Sequence, residues 1–316
     1  MHRIIIAGGV LVAAAYGAVV AYMYATQDAR VWPATVNATT PPPPEAGNYQ
    51  RISLTMPDGT RLNGIVAPRW GLQPSPTLVV VFGGNAHDVG GLTLFLKTKV
   101  WPGAEVAVAG VAYRGYPMAA NPENGGRSGG TPSQPAVLAD AVVQVKALQA
   151  LVKPSQTVLM GYSIGSAVAT YVAAQPAVAP TLAGAILVTP FTSLTALAED
   201  QYPWLPVHAL MRSPMPTATW LQSGTVPLAL FSTPDDGLIP PSHIALLKQA
   251  AGARVRMDAR FPGSTHGTIL DDTRMPRALQ VALAGLLAAP VPQREGSLPR
   301  APFPPTPGNA ISKTNP

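Results

Sequence analysis

Gly161, Tyr162, Ser163, Ile164 and Gly165 follow a short apolar run, residues 157–160, and precede small, helix-compatible residues, 166–174. Strand, sharp turn and helix in that order make a nucleophile elbow, in which glycines on both sides let the turn expose a strained serine. Gly126, Arg127, Ser128, Gly129 and Gly130 fit the same glycine, any, serine, any, glycine spacing. Context separates the two. Ser128 lies in a stretch dense in Gly, Pro and Asn, residues 117–135, with no apolar strand before it, and reads as loop.

A serine is a poor nucleophile at neutral pH, so the reading requires a histidine base and a carboxylate, here in the order Ser, Asp, His. After the apolar run 226–231 comes an acidic turn, residues 232–240, in which either Asp235 or Asp236 fits as the acid. Residues 253–261 read as a further strand, and the loop 262–267 after it carries His266, the expected base. His2 precedes the apolar N-terminus, His208 lies in a Pro-rich excursion, and His243 opens a helix after Pro241. His87 is the strongest rival, but it comes before Ser163. An oxyanion hole is expected after an early strand, completed by the amide following the nucleophile. The β-prone run 77–82 leads into Gly83, Gly84, Asn85 and Ala86, which assigns the two donors to the amides of Asn85 and Ile164.

Length and composition bound the rest. The 316 residues fit one α/β domain with tails. Residues 4–25 carry no charge and, as a helix, are long enough to cross about 30 Å of hydrocarbon. The run exceeds the roughly 7–15 residues of a secretory h-region, although Ala15, Tyr16 and Gly17 offer a small-residue cleavage site; an uncleaved single-pass anchor is expected. The α-amino group, His2 and Arg3 flank it on one side, while Asp28 and Arg30 nearly cancel on the other. The positive-inside rule then places the N-terminus in the cytoplasm and the domain on the extracytoplasmic (periplasmic) face of the cell membrane. Gly9, Ala13, Gly17 and Ala21 form a small-residue face suited to helix-mediated self-association. With no cysteine, disulfides and thiolate chemistry are excluded. The net charge of +6 is scattered, without basic runs or aromatic interleaving, which argues against nucleic-acid binding. No metal or organic cofactor is implied.

The expected organisation is an anchor or signal segment (1–25), a Pro-rich linker (26–48) whose Pro41 to Pro44 act as a spacer, a catalytic domain (49–289) and a disordered Pro-rich tail (290–316). Residues 51–56 and 61–67 flank a Pro-Asp-Gly turn and read as a β-hairpin. Strand-like runs recur from residues 77, 106, 157, 184, 226 and 253, alternating with helix-capable stretches such as 136–151, 242–250 and 275–288. Such alternation predicts the α/β class, a mostly parallel sheet with helices on both faces and its chemistry at the carboxyl ends of the strands.

With these residues in place, the chain resembles the membrane-anchored serine hydrolases of the α/β-hydrolase-domain-containing group, relatives of depalmitoylating thioesterases and their bacterial homologues. The resemblance runs from about residue 51 to residue 287. Tyr113, Arg114, Gly115 and Tyr116 are similar to that group's Tyr-Arg-Gly-Tyr segment, residues 126–133 to its Gly-x-Ser-x-Gly-Thr-Pro-Ser continuation, and residues 189–193 to the segment after the next strand. The group's acid turn, with its aspartate four residues before a proline, matches Asp236 to Pro241 and selects Asp236 over Asp235. Two departures stand out. Gly83 replaces the histidine usual before the oxyanion glycine, and residues 117–125 are an insertion expected to remodel the rim of the site. The resemblance implies an α/β-hydrolase fold and cleavage of a small acyl ester, thioester or lipid-like substrate. Gly84, His87, Tyr113 and Tyr162 are the expected substrate contacts. A peptidase or amidase using the same triad, and a non-catalytic membrane scaffold of this fold, are the alternatives.

Overall fold

The computed structural model describes residues 2–34, 49–67, 77–103, 105–178 and 181–288. The polyproline stretch of the expected linker and the expected C-terminal tail lie outside these residues. Eight strands form one sheet: β1 (Gln50–Thr55), β2 (Arg61–Ala67), β3 (Thr77–Phe82), β4 (Val106–Val111), β5 (Gln156–Tyr162), β6 (Leu182–Val188), β7 (Leu228–Ser232) and β8 (Val255–Arg260). Their order is β1-β2-β4-β3-β5-β6-β7-β8. The β1–β2 hairpin joins β4 antiparallel, and the pairs from β4 to β8 are parallel.

Burial explains the sequence of each strand. β3, β4, β6 and β7 are buried at every position, as strands covered on both faces must be, and Val, Leu, Ile and Ala make up most of each. The edge strand β8 alternates, turning Arg256, Asp258 and Arg260 to solvent, and those outward charges discourage pairing with another edge. Helices α4 (Gln134–Val152), α5 (Ile164–Ala173), α9 (Pro241–Ala251) and α10 (Met275–Ala288) cover the faces. Ser133 caps α4 by accepting the Ala136 amide, and Pro135 stands in the first turn, where its missing N–H costs nothing. Although α4 is long and apolar enough to cross a membrane, much of it is buried, and it serves as a core helix.

Several short elements escaped the sequence reading, among them α3 (Glu123–Gly126). Helix α2 (Val89–Phe95) continues into a π-helical turn, Leu96–Val100, whose buried Lys97 donates to the carbonyls of Gly103 and Val106, 2.5 and 2.8 Å away. Between β6 and β7 the Pro-rich excursion folds into α6 (Leu194–Gln201), α7 (Val207–Leu210) and α8 (Thr217–Ser223).

The N-terminal helix α1 (His2–Val31) corrects the expected boundary at residue 25. Residues 26–31 are helical rather than linker. Its last turns lie against the domain: the Gln27 side chain donates to Leu210 O (3.0 Å) and accepts from the Arg212 amide (2.8 Å). Arg212 stacks on Tyr24 at 4.1 Å and pairs with Asp28 at 2.9 Å. Just past the helix, Trp32 is buried in the core, edge-on to Tyr113, with Nε1 donating to Ser213 Oγ.

Candidate active site

Strand β5 ends in the turn at Ser163, whose φ of 53° and ψ of −121° lie outside the regions open to ordinary L-residues. The flanking glycines are required by close approach. A Cβ on Gly161 would lie 2.2 Å from the Gly165 carbonyl oxygen, and one on Gly165 would lie 2.2 Å from that of Phe82. The Ser163 amide donates to Val188 O on the neighbouring strand, at 2.9 Å, which fixes the turn to the sheet. This strain lifts the Ser163 hydroxyl to 3.0 Å from Nε2 of His266.

His266 Nδ1 lies 2.9 Å from Oδ2 of Asp236. An ionised carboxylate only accepts, so the proton sits on Nδ1 and Nε2 presents its lone pair to the serine. The other Asp236 oxygen accepts the amides of Leu238 and Ile239 at 2.9 and 2.8 Å. Burial alone would push the Asp236 carboxyl up, but the His266 hydrogen bond and these two amides outweigh it and hold it below the ordinary carboxylate range. Asp235, left open by the residues themselves, turns away and accepts the Gly263 amide at 2.7 Å. The loop bearing His266 is held from below, where Thr233 Oγ1 donates to Ser264 O and the Tyr162 hydroxyl donates to His266 O, at 2.6 and 2.5 Å.

The loop after β3 presents Asn85 beside the serine, and the carbonyls around it are each engaged. Tyr113 donates to Gly83 O (3.1 Å), the His87 amide to Gly84 O (3.3 Å) and Tyr116 to Asn85 O (2.7 Å). In a trans peptide N–H and C=O point oppositely, so engaging the Gly84 carbonyl aims the Asn85 amide the other way. Neither the Asn85 nor the Ile164 amide has an acceptor among the described residues. Burial pushes both phenols well up, which keeps them protonated donors.

A cavity of about 310 Å³ opens on Ser163, Ile164, Asn85 and His266. Its walls are mainly apolar, with Phe191, Leu194, Leu197, Leu210 and Met211 from the β6–β7 excursion and Val20 and Met23 from α1 among them. The four expected substrate contacts do not line it. Gly84 packs under the Tyr162 ring, and Tyr113 and Tyr162 are buried supports of the loops that carry Asn85 and His266. The His87 ring packs against Tyr162 at 4.8 Å, and burial lowers its pKa. The insertion does not reach the cavity either: Asn121 donates to the carbonyls of Ile52 and Gly64, plugging the β1–β2 hairpin.

The rival residues have structural partners. Ser128 is buried, accepting the Asn63 amide (2.9 Å) and donating to Ala112 O (3.0 Å), which ties β2 to the end of β4. His243 accepts the Thr192 amide on Nδ1 (3.1 Å), so its proton is on Nε2, which donates to Asp200 (2.9 Å) and joins α6 to α9. Arg114 of the Tyr-Arg-Gly-Tyr segment grips Asp140 through two hydrogen bonds, 2.6 and 2.8 Å, and reaches Asp58 of the hairpin.

No family model matches the chain. Over 235 residues it is 29% identical to the uncharacterized protein Rv2307c of Mycobacterium tuberculosis (strain ATCC 25618 / H37Rv), covering 71% of this chain and 78% of that one. Among solved structures, the Pyrococcus furiosus esterase Pf2001 superposes with a TM-score of 0.57 at 16% identity, covering 79% of this chain and 97% of its own. Est1E of Butyrivibrio proteoclasticus, bound to ferulic acid, gives 0.59 at 13% identity over 75% of this chain and all 100% of its own. A propionate-bound esterase, Est2 of Thermogutta terrifontis, gives 0.55 at 18% identity over 78% of this chain and 98% of its own. With the sheet order and its covering helices, these likenesses establish the α/β-hydrolase fold, preceded here by an apolar N-terminal helix.

Proposed function

We propose that the protein is a membrane-tethered serine hydrolase that cleaves carboxylic esters or thioesters through an acyl-enzyme. The observation that carries the reading is the unbroken relay from Ser163 through His266 to Asp236, with contacts of 3.0 and 2.9 Å, opening on an apolar cavity. In this mechanism Ser163 Oγ attacks the substrate carbonyl carbon as its proton passes to His266 Nε2, and Asp236 stabilises the imidazolium. The oxyanion sits against the amides of Asn85 and Ile164. Collapse of the tetrahedral intermediate breaks the ester or thioester bond, and His266 returns its proton to the departing oxygen or sulfur. Water then enters and gives a proton to His266, which passes it to Ser163 Oγ as the acyl–oxygen bond breaks and the acid departs. The preference for esters and thioesters is supported by the apolar lining, which suits an acyl chain better than a peptide backbone needing polar partners. Tethering is supported by α1, whose most apolar 18-residue stretch within residues 6–31 has a mean hydropathy of 1.9 and is not buried within the protein.

Labelling of the purified protein by a fluorophosphonate probe tests the chemistry. Labelling lost in Ser163→Ala and kept in Ser128→Ala is expected. A folded wild type that stays unlabelled overturns the reading in favour of a non-catalytic scaffold.

A further inference from the structure

The expected anchor is more than a tether, because its last turns are part of the cavity that opens on Ser163. Val20, Met23, Tyr24, Gln27, Arg30 and Val31 of α1 all line it, facing α6, α7 and the segment between them. The contact is specific. Gln27 bonds the backbone on both sides of Met211, much as a neighbouring strand would, and Arg212 is clamped between Tyr24 and Asp28. Remove the helix and one wall of the cavity goes with it.

Helix geometry then fixes where the cavity lies relative to a bilayer. At about 1.5 Å per residue, residues 4–23 span about 30 Å, the thickness of the hydrocarbon layer. Met23 therefore falls at the hydrocarbon edge, with Val20 just inside it and Gln27 and Arg30 among the headgroups. The aromatic residues follow the same division. Tyr22 and Tyr24 are exposed on α1 at that edge, a placement typical of a membrane–water boundary, whereas Tyr16, also exposed, and the half-exposed Trp204 of the excursion lie deeper. Tyr16 donates to Trp204 O at 2.9 Å, and the two rings meet edge to face at 6.4 Å. Tyr16 precedes Met23 by about 10 Å of helix, so the loop bearing Trp204 reaches about that far into the leaflet.

We infer that an acyl chain reaches Ser163 sideways from the outer leaflet, passing between α1 and the segment 202–211, so that the substrate is an amphiphile still seated in the membrane. This deepens the hydrolase reading and rests on it. The occupant is a bilayer lipid or lipid-modified molecule rather than a second protein, because the groove is continuous with the hydrocarbon-spanning face of α1.

The test uses the full chain in phospholipid vesicles with two probe esters, p-nitrophenyl butyrate and p-nitrophenyl palmitate. Met23→Trp, which fills the wall, is expected to lower the palmitate-to-butyrate ratio of kcat/KM by at least about tenfold, the scale on which an apolar pocket discriminates a misfit methylene or two. Met23→Ala is expected to move the ratio the other way, which a folding defect cannot do. Val12→Trp, on the same helix but far from the cavity, leaves it unchanged. Brominated lipids are expected to quench wild-type tryptophan fluorescence more than that of Trp204→Phe. If the wild type is labelled and active but neither Met23 variant moves the ratio, or Trp204 is not quenched, the lateral route is wrong and the hydrolase reading stands. An unlabelled, inactive wild type overturns both.

Discussion

A hydroxyl is inert until something takes its proton, and that is what separates Ser163 from Ser128, two serines in identical glycine frames. Ser128 spends both hydrogen-bonding roles on backbone, whereas Ser163 faces an imidazole whose other nitrogen is held by a carboxylate. Ser163→Ala is expected to lower kcat by about 10⁴- to 10⁶-fold, the loss seen when a triad serine is removed. Asp236→Asn should cost about 10⁴ in kcat by disturbing the histidine tautomer. Asp235→Asn, which loses only a loop contact, should leave kcat close to wild type, and steady-state ester hydrolysis distinguishes the two. The lowered pKa of Asp236 also has a thermodynamic consequence. Its stabilising contribution is present above the unfolded carboxylate value of about 3.9 and is lost as pH falls through the lower folded value. Melting temperatures of wild type and Asp236→Asn should therefore converge as pH drops below about 4; a gap that widens with acid would contradict this assignment.

Elements were legible to different degrees, for physical reasons. The buried parallel strands announced themselves as uninterrupted apolar runs, and the turn at Ser163 was readable because only glycine fits where β5, α5 and the end of β3 nearly touch. Gly165→Ala is accordingly expected to cost about 1–3 kcal/mol by overpacking and to lower the melting temperature by several degrees. Gly285→Ala, on an open face of α10, should be neutral or stabilising by up to about 1 kcal/mol. Calorimetry on the pair checks both. Choosing between Asp235 and Asp236 was not possible from local sequence, because both sit in one turn and only the chain's path decides which faces His266. Sequence alone makes Tyr113 and Tyr162 substrate contacts, because buried phenols holding loop carbonyls resemble contact residues until the cavity's position is known. The cavity walls were invisible for the same reason. Helices α6 to α8 are short and Pro-interrupted, so no period marks their inner face.

For the whole molecule, the sequence divided anchor from domain at a drop in hydropathy, but hydropathy cannot report that α1 docks. The helix carries Gln27 and Asp28 past the apolar run, and these polar residues mark where that run ends and the helix meets the domain. Membrane fractions washed with alkaline carbonate are expected to retain the full-length chain, and release into the wash would exclude a spanning helix. Protease added to intact spheroplasts should cut the domain if it lies outside the cytoplasm, and should spare it in the opposite orientation.

Trp32 bears on how this protein is handled in the laboratory. It stands at the exit of α1, buried against Tyr113, and Tyr113 in turn holds the Gly83 carbonyl of the loop that carries Asn85. A shortened form starting at residue 49, the natural choice for easy expression, lacks this indole as well as the cavity wall. Such a form would present solvent to Tyr113 and an open trough at Ser163. Weak turnover or broad selectivity measured on it would describe the truncation rather than the full chain.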